Sequence, residues 1–190
     1  MNFYSEYGED RWIAENLKLP DRGFYVDVGC AVPGSGSNTA FLRDRGWGGL
    51  VIDANPAYAA LWRAVPNVVF LTAIVSDSPI VSFAFKTIPG HSRAGEGRDY
   101  FAAQRLDRII ERLNIKQIDF LSVDVEGYEF EVLSSLINWK GLRAAWPKVI
   151  VSEFSTAGLP DDFRVFNSLT EIGYREMKRT HSNHIFELAP

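Results

Sequence analysis

The sequence predicts a doubly wound α/β fold: a mostly parallel sheet finished by an antiparallel hairpin at the C-terminal end. Three observations carry that reading. Short apolar blocks alternate with segments of helical spacing along the chain. The blocks are continuous apolar runs rather than strictly alternating ones, which suits parallel strands covered on both faces. The last two strand-like segments are separated only by Thr180-His181-Ser182-Asn183, a turn composition.

Taken in order, the first strand is expected at 24–28, stopped by Gly29, and the second at 50–53, stopped by Asn55-Pro56. A third is expected at 68–71, a fourth at 118–124 and a fifth at 149–153. Residues 79–86 read as an extra strand, and 173–177 with 184–188 as the closing hairpin. Helices are expected at 38–45, with Gly46 as a stop, and at 56–64, where Pro56 occupies a favoured first position. Leu106, Ile109, Ile110 and Leu113 give a helical stripe over 106–113. Phe130, Val132, Leu133, Leu136 and Ile137 repeat it over 128–137, and 162–172 forms a last helix before Gly173. Residues 87–99 are rich in Gly, Arg and Ser without periodicity and read as a mobile loop or lid. A single domain over 1–190 is expected, with 1–22 as an N-terminal helical cap.

Bulk properties narrow the function classes. With 190 residues, 46% hydrophobic and 23% charged, the chain is long enough to bury a core without covalent staples. One cysteine, Cys30, allows no internal disulfide. A net charge of -4 gives no electrostatic footprint for nucleic acid. The acidic start lacks the basic and apolar regions of a signal peptide, and no apolar run approaches a membrane span of about 20 residues. A cytoplasmic protein is expected.

Doubly wound sheets bind ligands beyond the carboxyl ends of their strands. Here those ends carry Asp27 and Gly29, then Asp53, then Asp124-Val125-Glu126-Gly127, then Glu153. The glycines after the first strand do not fit the phosphate-binding G-x-G-x-x-G pattern. A carboxylate at Asp27 repels a pyrophosphate and welcomes an ammonium. Asp53, at the second strand end, stands where an acid holds ribose hydroxyls. Together these favour an adenosyl group with a cationic tail, as in S-adenosylmethionine.

Several segments carry a family resemblance: Ser5-Glu6-Tyr7-Gly8-Glu9-Asp10, Gly23-Phe24-Tyr25-Val26-Asp27-Val28-Gly29, Ser37-Asn38-Thr39 and Gly46-Trp47-Gly48-Gly49-Leu50. The strongest runs from Ile118 to Glu129 through Val123-Asp124-Val125-Glu126-Gly127-Tyr128, and Pro147-Lys148-Val149-Ile150-Val151-Ser152-Glu153 closes the set. In this order they resemble the FkbM-type methyltransferases. The resemblance implies a seven-stranded class I methyltransferase sheet, S-adenosylmethionine as donor, and transfer to a hydroxyl of a sugar, glycan or natural product. It makes Asp27, Gly29, Asn38 and Asp53 cofactor contacts, with Asn55, Ser76, Asp77 and Asp10 beside them; Asp10 reads equally as a helix start. The loop Cys30-Ala31-Val32-Pro33 departs from the glycine-rich or Asn/Asp-containing loops common there.

Asp124 and Glu126 are the candidate catalytic carboxylates. One residue apart, as an extended pair they point the same way and serve as a general base. With Glu153 they also form a potential oxygen ligand set for Mg²⁺. A purely structural alternative makes either one a helix N-cap. His91 is a further candidate base on the lid, and Arg93 a candidate anion contact. Other signals read as structural: Tyr174 and Lys178 imitate the Tyr-x-x-x-Lys of short-chain dehydrogenases but fall in a strand-like segment. His181 and His184 fall on the hairpin turn, Cys30 reads as a small buried apolar residue, and the tryptophans read as packing. The rival readings are a non-catalytic cofactor- or glycan-binding module and an NAD-dependent oxidoreductase.

Overall fold

A computed structural model describes residues 2–84, 93–94, 98–137, 146–154 and 160–190. The main sheet contains β1 (Phe24–Val28), β2 (Gly48–Asp53), β3 (Val68–Thr72), β8 (Phe120–Val123), β9 (Val149–Glu153), β10 (Tyr174–Arg179) and β11 (Asn183–Leu188). Its spatial order is β10-β11-β9-β8-β1-β2-β3, seven strands among the described residues. Neighbours from β9 to β3 pair in parallel, whereas β11 runs antiparallel to both β9 and β10. The chain works outward from β1 to β3, then returns to lay β8 on the other side of β1. The order reverses between β1 and β8, where doubly wound folds open a binding crevice.

Strand alternation divides the core into two layers. Val26, Val28, Leu50, Ile52, Leu121, Val123 and Ile150 pack with α4 (Leu106–Arg112), α5 (Glu129–Ile137) and α6 (Pro160–Glu171). Tyr25, Val51, Phe120, Val149 and Val151 pack on the opposite face with α1 (Glu9–Asn16) and α2 (Ala40–Asp44). Trp47 and Trp62 fill that second layer, in keeping with their reading as packing residues. Each large apolar side chain so buried contributes about 1.5–3 kcal/mol. The short helix α3 (Ala59–Trp62) is led in by a 3-10 turn at Pro56–Tyr58, and the Asn55 side chain accepts from the Ala57 amide at 3.0 Å. Among the described residues no helix is long and apolar enough to cross a membrane.

A second, four-stranded sheet contains β4 (Ile74–Val75), β5 (Ile80–Ala84), β6 (Arg93–Ala94) and β7 (Asp99–Gln104), in the order β4-β7-β5-β6. Of these only β5 was expected. In β7, Asp99 and Tyr100 are exposed and Phe101 half-buried, so the strand lacks the apolar run that marks the central ones. The reading of 87–99 as a loop is corrected where the chain is described: Arg93 and Ala94 pair with Ala84 and Phe83, and Asp99 opens β7. His91 lies outside the described residues.

The tightest point of the fold is the junction of β1 and β8. The Asp124 amide donates to the Val28 carbonyl at 3.0 Å, and the Gly29 amide to the Ile52 carbonyl at 2.8 Å. Gly29 has φ +86°, and a Cβ on it would overlap the Asp124 carbonyl oxygen. Gly29→Ala therefore meets both backbone strain and an unyielding neighbour. We expect a loss of roughly 3 kcal/mol or more in stability, measured by denaturant unfolding.

Candidate active site

Three adjoining clefts open at the carboxyl ends of the central strands. One is largely apolar, walled by Ile52, Ala54, Tyr58, Ile74, Val75, Phe83 and Tyr128, with Asp53 at its edge. The second is polar, a cavity of about 310 Å³ lined by Asp27, Gly29, the loop from Cys30 to Val32 and Asn38. The third, about 340 Å³, lies between the N-terminal segment and the C-terminal hairpin and is lined by Glu6, Tyr7, Asn38, Glu153, His181 and Asn183. Asp124 and Glu126 line all three.

Asp27 and Asp53 are each held by hydrogen bonds. Asp27 ends β1 on the α2 side and accepts from the Thr39 hydroxyl at 2.6 Å. Burial, opposed by that hydrogen bond and reinforced by the charges of Asp124 and Asp53, pushes its carboxyl up to about 7. Asp53 accepts from the Ala31 amide at 3.0 Å and the Asn55 amide at 2.8 Å, one oxygen each. Burial still raises it above the ordinary carboxylate value. The Trp62 indole donates to the Ala31 carbonyl at 2.7 Å and fixes the loop from the other side. Asn38 is 5% exposed, and its Oδ1 has no hydrogen-bond partner among the described residues.

The loop after β8 is shaped by a residue that the sequence reading gave no role. Glu129, at the first turn of α5, accepts from the Val125 and Gly127 amides at 3.0 and 3.1 Å. Its burial raises its carboxyl to about 7 despite those bonds. The carboxylate-to-amide spacing of a helix start was the available signal. Glu126 adopts φ 62° and Gly127 φ 98°. Asp124 and Glu126 thus reach the same clefts through a left-handed turn, which corrects the expectation of an extended pair. Neither sits at the start of α5, so the N-cap alternative also falls away. Backbone strain in a non-glycine residue, as at Glu126, is concentrated at functional sites.

Glu153 is hydrogen-bonded to Asp124. Burial, then the nearby charges of Asp124 and Glu129, hold its carboxyl well above the usual carboxylate range. Asp124, Glu126 and Glu153 do share one cleft. Among the described residues, however, no three His, Cys, Asp or Glu are gathered as a group able to hold a metal ion.

The remaining candidates lie elsewhere. Asp10 is fully buried and accepts from the Ser5 hydroxyl at 2.6 Å, the Ser5 amide at 3.1 Å and the Tyr4 amide; it pins the N-terminal segment and lines none of the three clefts. Asn55 caps the 3-10 turn. Ser76 is fully buried and bonded to Tyr128, which lines the apolar cleft, and Asp77 lines none of these three clefts. Tyr174 and Lys178 lie on β10, and the Tyr174 hydroxyl donates to the Pro147 carbonyl at 2.6 Å. That removes the dehydrogenase pattern. His184 stacks on Phe154 with centroids 3.8 Å apart, whereas His181 faces the third cleft. Cys30 is buried, and burial drives its thiol far above the ordinary value.

The sequence matches the family described as the methyltransferase FkbM domain over residues 27–176. No curated protein matches it significantly. Among solved structures, it is similar to a TehB-like SAM-dependent methyltransferase from Corynebacterium glutamicum, with TM-score 0.51, 13% identity, and coverage of 96% of this chain and 88% of that one. A putative rRNA-methylase from Clostridium thermocellum gives 0.52, 10%, 100% and 99%. A precorrin-6y C5,15-methyltransferase from Geobacter metallireducens gives 0.50, 13%, 93% and 84%. At such identities these likenesses are of fold.

The buried carboxyls set a pH dependence. Unfolded carboxyl groups release their protons near pH 4, whereas folded Asp27 and Glu129 keep theirs up to about 7. Between those values the folded state binds more protons. The stabilisation is complete below about pH 4 and is lost as pH rises through about 7. Asp27→Asn removes its share. Its melting temperature should therefore fall less than that of the unmodified chain between about pH 5 and pH 8, at roughly 2–4 °C for each kcal/mol involved.

Proposed function

The chain belongs to the methyltransferase FkbM domain family, and on that premise we propose that the three clefts are one site for S-adenosylmethionine and a hydroxyl acceptor. The reaction proposed is methylation of an oxygen on a sugar, glycan or natural product. The observation that carries the reading is the sharing of Asp124 and Glu126 by all three clefts. A donor laid across the first two and an acceptor in the third meet at those carboxylates. We read 1–190 as one domain, with 1–22 as its cap.

The residues present fit this donor. The apolar cleft suits an adenine, and Asp53, each oxygen bonded to one amide, retains lone pairs for a ribose diol. Asp27 and the unpartnered Asn38 Oδ1 are acceptors suited to an ammonium. Bound, S-adenosylmethionine supplies an electrophilic methyl group on a sulfonium. The protein's own part is alignment and proton removal. Glu153 keeps its proton and donates it in a hydrogen bond to Asp124, leaving Asp124 as the ionised member. Asp124 then takes the proton of the acceptor hydroxyl, and Glu126 borders the same space.

Titration with S-adenosylhomocysteine tests the cofactor half. Saturable binding is expected, weakened about tenfold to a hundredfold in Asp53→Ala as two hydrogen bonds to a charged group are lost. Binding of NADH in its place would overturn the reading.

Turnover tests the other half. Asp124→Asn should retain S-adenosylhomocysteine affinity and lose on the order of 10²–10⁴ in kcat. Turnover that survives EDTA supports the proton-sharing pair. Turnover lost to EDTA and restored by Mg²⁺ assigns these carboxylates to a cation instead.

A further inference from the structure

We infer that the third cleft is an acceptor subsite for a compound that carries a protonated amine beside its hydroxyl groups, an amino sugar being the smallest such case. This rests on the methyltransferase reading and adds to it a charge and a set of contacts.

The cleft is walled by hydrogen-bond acceptors. Glu6, Asp124, Glu126 and Glu153 line it, and among its described lining residues none is lysine or arginine. Acidic residues alone do not define a ligand, but Asn183 supplies a second observation. Its side chain is 6% exposed and lines this cleft. Its Nδ2 donates to Glu9 Oε1 at 3.2 Å. That bond fixes the amide's orientation, since a carbonyl oxygen turned toward a carboxylate would be repelled. Asn183 Oδ1 is thereby left with no partner among the described residues. A buried acceptor without a donor is costly unless a ligand provides one. Asn38 Oδ1, shared with the cofactor cleft, is in the same condition.

The arrangement is held ready. Glu9 is fully buried and also accepts from the Thr180 hydroxyl at 2.5 Å, while the Thr180 amide donates to the Asn183 carbonyl at 2.8 Å. The hairpin turn and the N-terminal segment are therefore fixed to one another before any ligand arrives. Tyr7, half-exposed, lies against His181 with ring centroids 4.8 Å apart and offers an aromatic face at the same cleft. An ammonium brings three N–H donors, a charge complementary to the carboxylates and a partner for an aromatic face. A neutral polyol brings donors without the charge. A phosphate brings further acceptors and negative charge to a wall that already has both.

Calorimetric titration of the full chain saturated with S-adenosylhomocysteine, using glucosamine, glucose and glucose 6-phosphate as probes, decides the matter. Glucosamine should bind on the order of tenfold more tightly than glucose, with no binding of glucose 6-phosphate. Asn183→Leu should weaken glucosamine about tenfold while S-adenosylhomocysteine affinity is kept. Should that variant fail to fold, Tyr7→Leu, at an exposed position that lines this cleft and neither of the other two, should weaken glucosamine selectively. Equal affinity for glucose and glucosamine, preference for the phosphate, absence of glucosamine binding, or indifference to these variants overturns the inference. Loss of S-adenosylhomocysteine binding from the unmodified chain counts against the methyltransferase reading, and glucosamine titrated alone then still reads the subsite.

Discussion

Everything at the site depends on how closely β1 and β8 approach at their carboxyl ends. The contact of Gly29 with the Asp124 carbonyl brings the two strand ends together without an intervening side chain. A parallel sheet that reverses its order between two neighbours leaves a crevice there whatever its sequence. In this chain the crevice becomes a set of joined clefts because the first residues past each strand diverge at once. After β1 the chain turns at Gly29 toward Asn38 and α2. After β8 it makes a left-handed turn at Glu126 and Gly127 before α5 begins. The clefts lie between these two departures, and Asp124 stands at their meeting point.

That geometry has an electrostatic consequence. Asp27, Asp53, Asp124, Glu126 and Glu153 converge on one region without a lysine or arginine lining it among the described residues. Uncompensated charge in such a place is costly. The fold offsets it in two ways. Asp53 accepts from two backbone amides and Asp27 from the Thr39 hydroxyl, bonds that favour the ionised form. Burial outweighs those bonds and holds Asp27, Asp53 and Glu153 toward the neutral form. A ligand with an ammonium or sulfonium reverses that preference. Stability is thus held below what a neutral wall would give, and binding recovers the difference.

The fold was legible because its central strands are continuous apolar runs ended by Gly, Asp or Asn. The 24–28 and 149–153 predictions match the observed strands, and the others differ by a residue or two at their ends. The small sheet was not legible. Its strands β4 and β6 have two residues each, too short for any periodicity, and β7 follows a glycine-rich stretch that reads as a loop. At the site, strand-end carboxylates were legible from their place in the pattern. The direction of Asp124 and Glu126 was not, because an extended reading assigns side chains by parity and the left-handed turn at Glu126 breaks it.

The third cleft, proposed for the acceptor, was hidden for a different reason. It joins residues 171 positions apart, Glu9 and Thr180, through a buried carboxylate that no local pattern announces. Asp10 reads as a helix start, and it lies with Glu9 in the first turn of α1. Their carboxylates nonetheless point to different tasks: Asp10 gathers the chain at Tyr4 and Ser5, and Glu9 reaches across to the hairpin turn. The clefts proposed for the donor draw on strand ends that the sheet positions directly. The third cleft sets the two outlying segments of the fold, held together by hydrogen bonds between side chains, against the strand-end carboxylates Asp124, Glu126 and Glu153. The two parts stay linked, because Glu6 and Asn38 line both the polar cleft and the third one, and Asp124 and Glu126 line all three.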